Sequence, residues 1–453
     1  MTITSRFLSN IKKYNLIDKN DTIIVGASGG PDSQFLIYLL NEIKNEYNLT
    51  IILAHLNHLH RKEAIFDENL VVETGKKLNL EVKVKKSSMD DFAKENKLSP
   101  EDAGRRLRYE FFYSLAKENK SAKIAVAHNM DDQAETMLFR MARGTGLDGL
   151  SGMDYKNGKI IRPILSFKKS EILAYLNEKK IPYAIDATNL ENDYSRNYIR
   201  NEIFPKIAEL NPNAIENFYN LSDLIKNDLE IIDELIDQKY EVVAVIEDKT
   251  FVKFDKQEFE NLSYSLKARI LRKSIYKLQG NVKNFSKENI DDFLNLLDLD
   301  TGKKIVKGKL EFIKNYNSYD LVILNEDSNK QEIVRLNLGE EVRFKEKKIK
   351  ASRVLKTDNK SKNIGYFDLD KISFPLIIRS RENGDKFKPF GMNHRKKLKD
   401  FFIDEKIDKN IRDQIPIILS ENDIIWVGGY RISDDYKLDS GTNNIIKIEV
   451  ADD

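Results

Sequence analysis

The sequence contains no cysteine. That single absence excludes disulfides, thiolate-held zinc, iron–sulfur clusters and any cysteine nucleophile. Long apolar runs are missing too. The longest aliphatic or aromatic stretch, Phe35 to Leu40, falls far short of the ~20 residues a membrane-spanning helix needs. The opening MTITSRFLSNIKKYNL lacks the apolar core and cleavage site of an export signal, so a cytoplasmic location is expected. No charge of one sign dominates. The net charge is +2, which points to no class of partner. What is present is ample core material: 23 Phe and 19 Tyr among 453 residues exclude a disordered chain despite a charged fraction of 33%. One core rarely grows beyond about 250–300 residues, so several domains are expected.

The first 200 residues alternate short apolar runs with helical patterns. Asp21 to Gly26, Leu49 to Ala54, Glu81 to Lys85 and Lys123 to Ala127 read as strands. Between and after them, Gln34 to Tyr47, Asp67 to Leu78, Glu101 to Asn119 and Asp131 to about Arg143 read as helices. Such alternation predicts an α/β fold with a doubly wound parallel sheet over residues 1–205. Residues 206–330 read as a linker helix, Ala214 to Gln238, and a mostly helical middle domain. That segment also holds a hairpin near Asn317-Ser318. Residues 331–453 carry short β-type runs between turn residues and predict a small α+β domain. Within it, Arg379 to Lys399 holds eight basic and two acidic residues, with Phe387 and Phe390 interleaved.

Ser28-Gly29-Gly30-Pro31-Asp32-Ser33 follows a strand and opens a helix. Two glycines leave room for an anion, and backbone N–H groups face it where the helix dipole favours negative charge. Pro31 suits the first helical turn, and the hydroxyls of Ser28 and Ser33 add donors. Asp32 repels a phosphate directly but can hold Mg²⁺ against phosphate oxygens. A plain N-capped helix start is the bland alternative. Gly144 to Gly149 matches GxGxxG but follows a helix, so it is expected to be a helix end and loop.

His55 and His58 follow the second strand and His128 follows the fourth. In an open sheet such positions share the ligand-binding edge. A zinc site from His55, His58 and His60 lacks an obvious carboxylate partner. Asp132 and Glu135 lie three apart on one helix and so share a face. They either complement the helix dipole or form a cation site for an ammonium group or Mg²⁺. Arg108, within Arg105-Arg106-Leu107-Arg108-Tyr109, could neutralise charge on a triphosphate. Arg196 and Arg200 could serve the same substrate or touch nucleic acid.

SGGPDS resembles the phosphate loop of the PP-loop pyrophosphatase superfamily. The ordered series HLNH, RRLRYEFF, AHNMDDQAET, RGTGLDGLSGM, RPIL, DATN, RNYIR, RENGDKFKPFGMNHRKKLKDFFIDEKI and IIWVGGYRIS narrows this. The chain resembles the bacterial tRNA(Ile)-lysidine synthase family, in its long form with a C-terminal domain. Leu59-His60 departs from the usual Gly-Leu. The resemblance implies ligation of L-lysine to C2 of cytidine 34 in a CAU-bearing tRNA(Ile), with ATP and Mg²⁺. Cytosine O2 would attack the α-phosphate and release pyrophosphate, after which the lysine amine would displace AMP. By position, Ser28, Gly29, Gly30, Pro31, Asp32, Ser33, His55 and Arg108 would bind ATP, with Asp32 on Mg²⁺. Asp32, Arg108, His128 and Asp132 would be catalytic, and Asp132 and Glu135 would hold lysine.

The lack of cysteine fits a free-amine nucleophile and excludes thiolation or glutamine-dependent amidation. A small-molecule amide ligase and a non-catalytic tRNA-binding protein remain as alternatives. The basic C-terminal stretch is expected to grip tRNA backbone through Arg395, Lys396, Lys397 and Lys399, besides Arg196 and Arg200. The sequence leaves a dimer open.

Overall fold

A computed structural model describes residues 2–59, 64–119, 121–184, 195–282, 285–324, 332–357, 361–409 and 411–452. They form two compact units, Met1–Asp233 and Glu234–Asp453.

The first unit runs α1 (Ile3–Lys13), β1 (Thr22–Gly26), α2 (Pro31–Tyr47), β2 (Thr50–Asn57), α3 (Ala64–Leu78) and β3 (Glu81–Lys86). It continues with α4 (Met89–Asn96), α5 (Pro100–Glu118), β4 (Ala122–Ala125), α6 (Met130–Ala142) and α7 (Leu147–Leu150). The remainder is β5 (Lys156–Asn157), β6 (Ile160–Ile161), α8 (Lys169–Glu178), α9 (Ser195–Tyr198), a π-helical turn (Ile199–Ile203), α10 (Phe204–Leu210) and α11 (Ala214–Val243).

The sheet order is β3-β2-β1-β4-β6-β5. β1 pairs in parallel with both β2 and β4, and only β5 runs antiparallel to its neighbour β6. Burial on both faces explains why β1 reads as an unbroken apolar run. Ile23 and Val25 join one core with Phe35, Leu36 and Leu39 of α2. Ile24 joins the opposite core with Leu107, Phe111 and Phe112 of α5. After β1 the chain winds to β2 and β3, then returns to β4 on the other side of β1. The carboxyl ends of β1 and β4 therefore flank the switch point, where a crevice opens.

In the second unit, helices Tyr264–Gln279 and Lys287–Asn295 lie within the segment read as mostly helical. They accompany a five-stranded antiparallel sheet, of which the sequence displays only the hairpin Leu310–Lys314 with Ser318–Ile323. The C-terminal portion packs a five-stranded and a four-stranded antiparallel sheet around Trp426, Phe367 and Ile418.

Candidate active site

The phosphate loop sits where the alternation places it, between β1 and α2. Gly29 has φ +84°, and an added Cβ would lie 3.3 Å from the Asp67 carbonyl oxygen. Glycine is thus required by both conformation and space. The Ser33 hydroxyl donates to the Gly30 carbonyl at 2.9 Å, and the Gly30 N–H donates to Ser28 Oγ at 3.3 Å. The two hydroxyls lie 3.2 Å apart. Pro31 begins α2, behind Gly30 in extended conformation.

Asp32 is not isolated. Its Oδ2 accepts from Lys169 Nζ at 2.6 Å, and its Oδ1 accepts from the Asn129 side-chain amide at 3.0 Å. Asn129 caps α6. Its Oδ1 accepts from the Asp132 N–H, and Asp132 Oδ2 accepts from the Asn129 N–H, both at 3.0 Å. Asp132 therefore completes a capping box as well as facing the crevice. Its Oδ1 meets Arg200 at 3.3 Å. Arg200, read from the sequence as a tRNA contact, also forks onto Glu135, with Nε–Oε1 at 2.6 Å and an Nη2–Oε2 contact at 2.9 Å.

A continuous chain of polar contacts thus joins the phosphate loop to the carboxylate pair. Glu135 is only 4% exposed. Burial pushes its carboxyl up to about 7, while Arg200 restrains the rise. Burial also raises Asp131. Burial opposes the Arg200 charge, yet Glu135 outweighs it and holds the guanidinium above its usual range.

His128 follows β4. Burial, then the positive charges of Arg162, Arg105, Arg108 and Arg196, drives its imidazole down to about 3. It is therefore neutral at physiological pH. Its Nδ1 accepts from Arg162 Nε at 3.2 Å, so the proton resides on Nε2, leaving a hydrogen-bond donor rather than a general acid. The same four guanidinium groups set a positive potential suited to an anion. His55, at the end of β2, donates from Nδ1 to the Ala27 carbonyl at 2.8 Å. Its Nε2 is buried and has no hydrogen-bond partner among the described residues.

Sequence reasoning missed Lys169 and Arg162. Lys169 stands 137 positions from Asp32, a distance no local pattern reveals. Arg162 lies within the RPIL block but carries no local signal of its own. His60 and the DATN block fall outside the described residues. Gly144 to Gly149 follows α6 without an intervening strand, and Arg140 clasps the carbonyls of Gly149 and Gly152 at 2.9 and 2.8 Å. The segment is thus a loop, as expected, only as far as Gly146; Leu147 then opens the short helix α7, which the sequence reading did not anticipate. Among the described residues no group of three or more His, Asp or Glu side chains is arranged to hold a metal ion. Among the described residues no helix is long and apolar enough to cross a membrane.

In the second unit, Arg395 pairs with Asp423 at 3.0 Å, and Lys396 pairs with Asp404. Arg379 forks onto Asp385 at 2.9 and 2.8 Å. Much of the local positive excess is thereby balanced within the unit. Lys397 and Lys399 have no such partner among the described residues.

Comparison with known proteins identifies the family. A PP-loop domain matches residues 2–207, and a TilS substrate C-terminal domain matches residues 376–449. The tRNA(Ile)-lysidine synthase of Clostridium tetani is 38% identical and covers 98% of this chain and 97% of its own length. That of Clostridioides difficile is 37% identical, covering 98% and 99% respectively. A crystal structure of a TILS C-terminal domain is 25% identical, covers 27% of this chain and 98% of its own, and superposes with a TM-score of 0.26. Because the resemblance runs through both units at this identity, the chain belongs to the tRNA(Ile)-lysidine synthase family.

Proposed function

We propose that the chain ligates L-lysine to C2 of cytidine 34 in a CAU-bearing tRNA(Ile), consuming ATP through a C2-O-adenylate. The observation that carries the reading is the polar chain from Asp32 through Asn129 and Asp132 to Arg200 and Glu135. It couples an anion-binding loop to a buried cation site at one switch point. Each half alone has many uses; together they suit a triphosphate and an amine nucleophile.

The loop from Ser28 to Ser33 cradles ATP phosphates, and Arg108 with its neighbouring guanidinium groups stabilises charge gathering at the α-phosphate. The buried His55 Nε2 suits a hydrogen bond with the adenosine. His128, neutral, donates from Nε2 to an oxygen near the reacting phosphate. Mg²⁺ fits as a companion of ATP. It is commonly held by one or two carboxylates plus phosphate oxygens, and Asp32 supplies one once Lys169 releases an oxygen. Bound there, the ion would offset phosphate charge. Lys169 does part of this work directly.

Cytosine O2 displaces pyrophosphate from the α-phosphate; the lysine amine then attacks C2, and O2 departs with AMP. Asp132 and Glu135 hold the lysine ammonium, and Arg200 occupies that seat before lysine enters. An amine attacks only when deprotonated. Glu135, with its carboxyl near neutrality, is placed to take the proton. The requirement for tRNA places the reaction in the cytoplasm.

The test supplies ATP, labelled lysine and a CAU-bearing tRNA(Ile), with methionine tRNA as control. Lysine incorporation into the first tRNA alone, with AMP and pyrophosphate formed, is expected. Pyrophosphate release without tRNA would instead favour the small-molecule ligase. Binding of tRNA without ATP cleavage would favour the non-catalytic reading.

A further inference from the structure

The second unit contains a cavity of about 300 Å³, remote in sequence from the phosphate loop. One wall comes from Thr301-Gly302 and the hairpin turn at Tyr316. The other comes from Lys399, Asp408, Lys409 and Arg412. Arg412 is only 8% exposed. Its Nε donates to the Ile407 carbonyl at 2.9 Å, and its guanidinium carbon lies 5.8 Å from the Phe402 ring centre.

No ion pair reaches Arg412 among the described residues, and none reaches Lys399 or Lys409. The one carboxylate on the wall, Asp408, spends Oδ1 on the Tyr316 N–H at 3.0 Å. Burial lowers the Arg412 pKa, outweighing the support of the Tyr316 side chain and the Asp408 charge; a buried guanidinium with no carboxylate in direct contact is costly unless an anion meets it. Several basic side chains of the neighbouring stretch are placed differently. Arg379, Arg381, Arg395 and Lys396 all carry carboxylate partners. The three cations around the cavity do not.

We propose that this cavity is a socket for a phosphodiester of the tRNA backbone, with Arg412 as its buried anchor and Lys399 and Lys409 as its rim. Thr301 adds a hydroxyl donor, and Gly302, at φ +84° with no atom within 4 Å of an added Cβ, leaves the mouth open. The inference rests on tRNA being the substrate. It goes further by fixing where one phosphate is held, and it joins the middle segment to the C-terminal sheets in one contact. A guanidinium suits a phosphate because its fork matches two oxygens.

The test compares the full-length protein with Lys409→Ala and Arg412→Gln. Affinity for tRNA(Ile) is measured against salt, and phosphate-ethylation interference is mapped on the tRNA. Lys409 is exposed, so its variant folds even if the Arg412 variant does not; thermal melts report the latter. Each lost contact is expected to weaken tRNA binding several-fold and to flatten the log–log salt slope by roughly 0.7–0.9. At least one phosphate should lose its ethylation effect in the variants. A wild-type slope and interference map in Lys409→Ala would overturn the socket while leaving the ligase reading intact. Inorganic phosphate titrated against thermal stability forms the second arm. Stabilisation of the wild type but not of the variants, with unchanged tRNA binding, would assign the cavity to a free anion and overturn the RNA proposal. Failure of the wild type itself to bind tRNA would remove both readings.

Discussion

Glu135 has the most demanding environment of the candidate site residues. In the proposed reaction its charge attracts the lysine ammonium, yet burial pushes its carboxyl up to about 7. Below that pH the group is neutral, and above it the group is charged. Lysine keeps its ammonium throughout, with an ordinary pKa near 10.4. The KM for lysine should therefore fall as pH rises from 6 to 8. Arg200 stabilises the charged form, so Arg200→Gln should displace that profile to higher pH. Lysine KM measured across pH for both proteins checks this, and superimposable profiles would separate Glu135 from lysine binding. Glu135→Gln and Asp132→Asn remove a charge-assisted contact of about 1.5–3 kcal/mol each, which corresponds to roughly a 10- to 150-fold rise in lysine KM. Adenylation should suffer less. Asp32→Ala should abolish adenylation with the fold retained, because it removes the partner of both Lys169 and Asn129. Pyrophosphate release at saturating tRNA decides the point; a near wild-type rate would refute the role.

Helix α6 is the element on which the site depends, and buried Gln133 holds it in place. Its Oε1 accepts from the Met153 N–H at 2.7 Å, and its Nε2 donates to Ser222 Oγ of α11 at 3.1 Å. Gly152 makes room for this amide: with φ +72°, an added Cβ would fall 2.4 Å from Gln133 Nε2. Gln133→Leu keeps the volume but strands a buried donor and acceptor, at about 1–3 kcal/mol per group. A lower urea midpoint is expected, together with a higher lysine KM as Asp132 and Glu135 lose their setting. The turn before α2 is equally constrained. Gly29→Ala forces a left-handed conformation on a residue with a Cβ, costing roughly 1–2 kcal/mol. It also crowds the Asp67 carbonyl oxygen at 3.3 Å. ATP affinity measured by calorimetry should drop at least tenfold, and an unchanged value would show that the loop backbone does not shape the phosphate site.

At the scale of the whole molecule, a net charge of +2 conceals basic side chains with very different commitments. Arg395 and Lys396 are paired within their own unit, whereas Lys397 and Lys399 are not. Exposed pairs are worth only about 0–1 kcal/mol, so a phosphate can compete for them, but at some loss. Replacing Lys396 and Lys397 together by Ala should weaken tRNA binding and flatten its salt dependence by roughly 0.7–0.9 per lost contact. Most of that loss should trace to Lys397. Filter-binding titrations of the single variants across salt concentrations test the ordering, and equal slopes in all proteins would remove this stretch from the tRNA interface.

The sequence by itself determined what is local. Strand–helix alternation gave the parallel sheet, since burial on both faces imprints unbroken apolar runs such as Ile23-Ile24-Val25. The phosphate loop was legible because backbone conformation there demands glycine. Asp132 and Glu135 were legible because a spacing of three shares one helix face. The middle sheet was largely hidden: strand Ala244–Glu247 is mostly exposed and carries no inside–outside alternation. Only the tertiary structure decided who meets whom. Arg200 reaches Glu135 across 65 positions, Arg162 reaches His128 across 34, and Lys169 reaches Asp32 across 137. The physical reason is that a charge acts through space. A carboxylate's partner, and hence its protonation, is set by the sheet order that brings the ends of β1 and β4 together, and neighbours in sequence carry no record of that order.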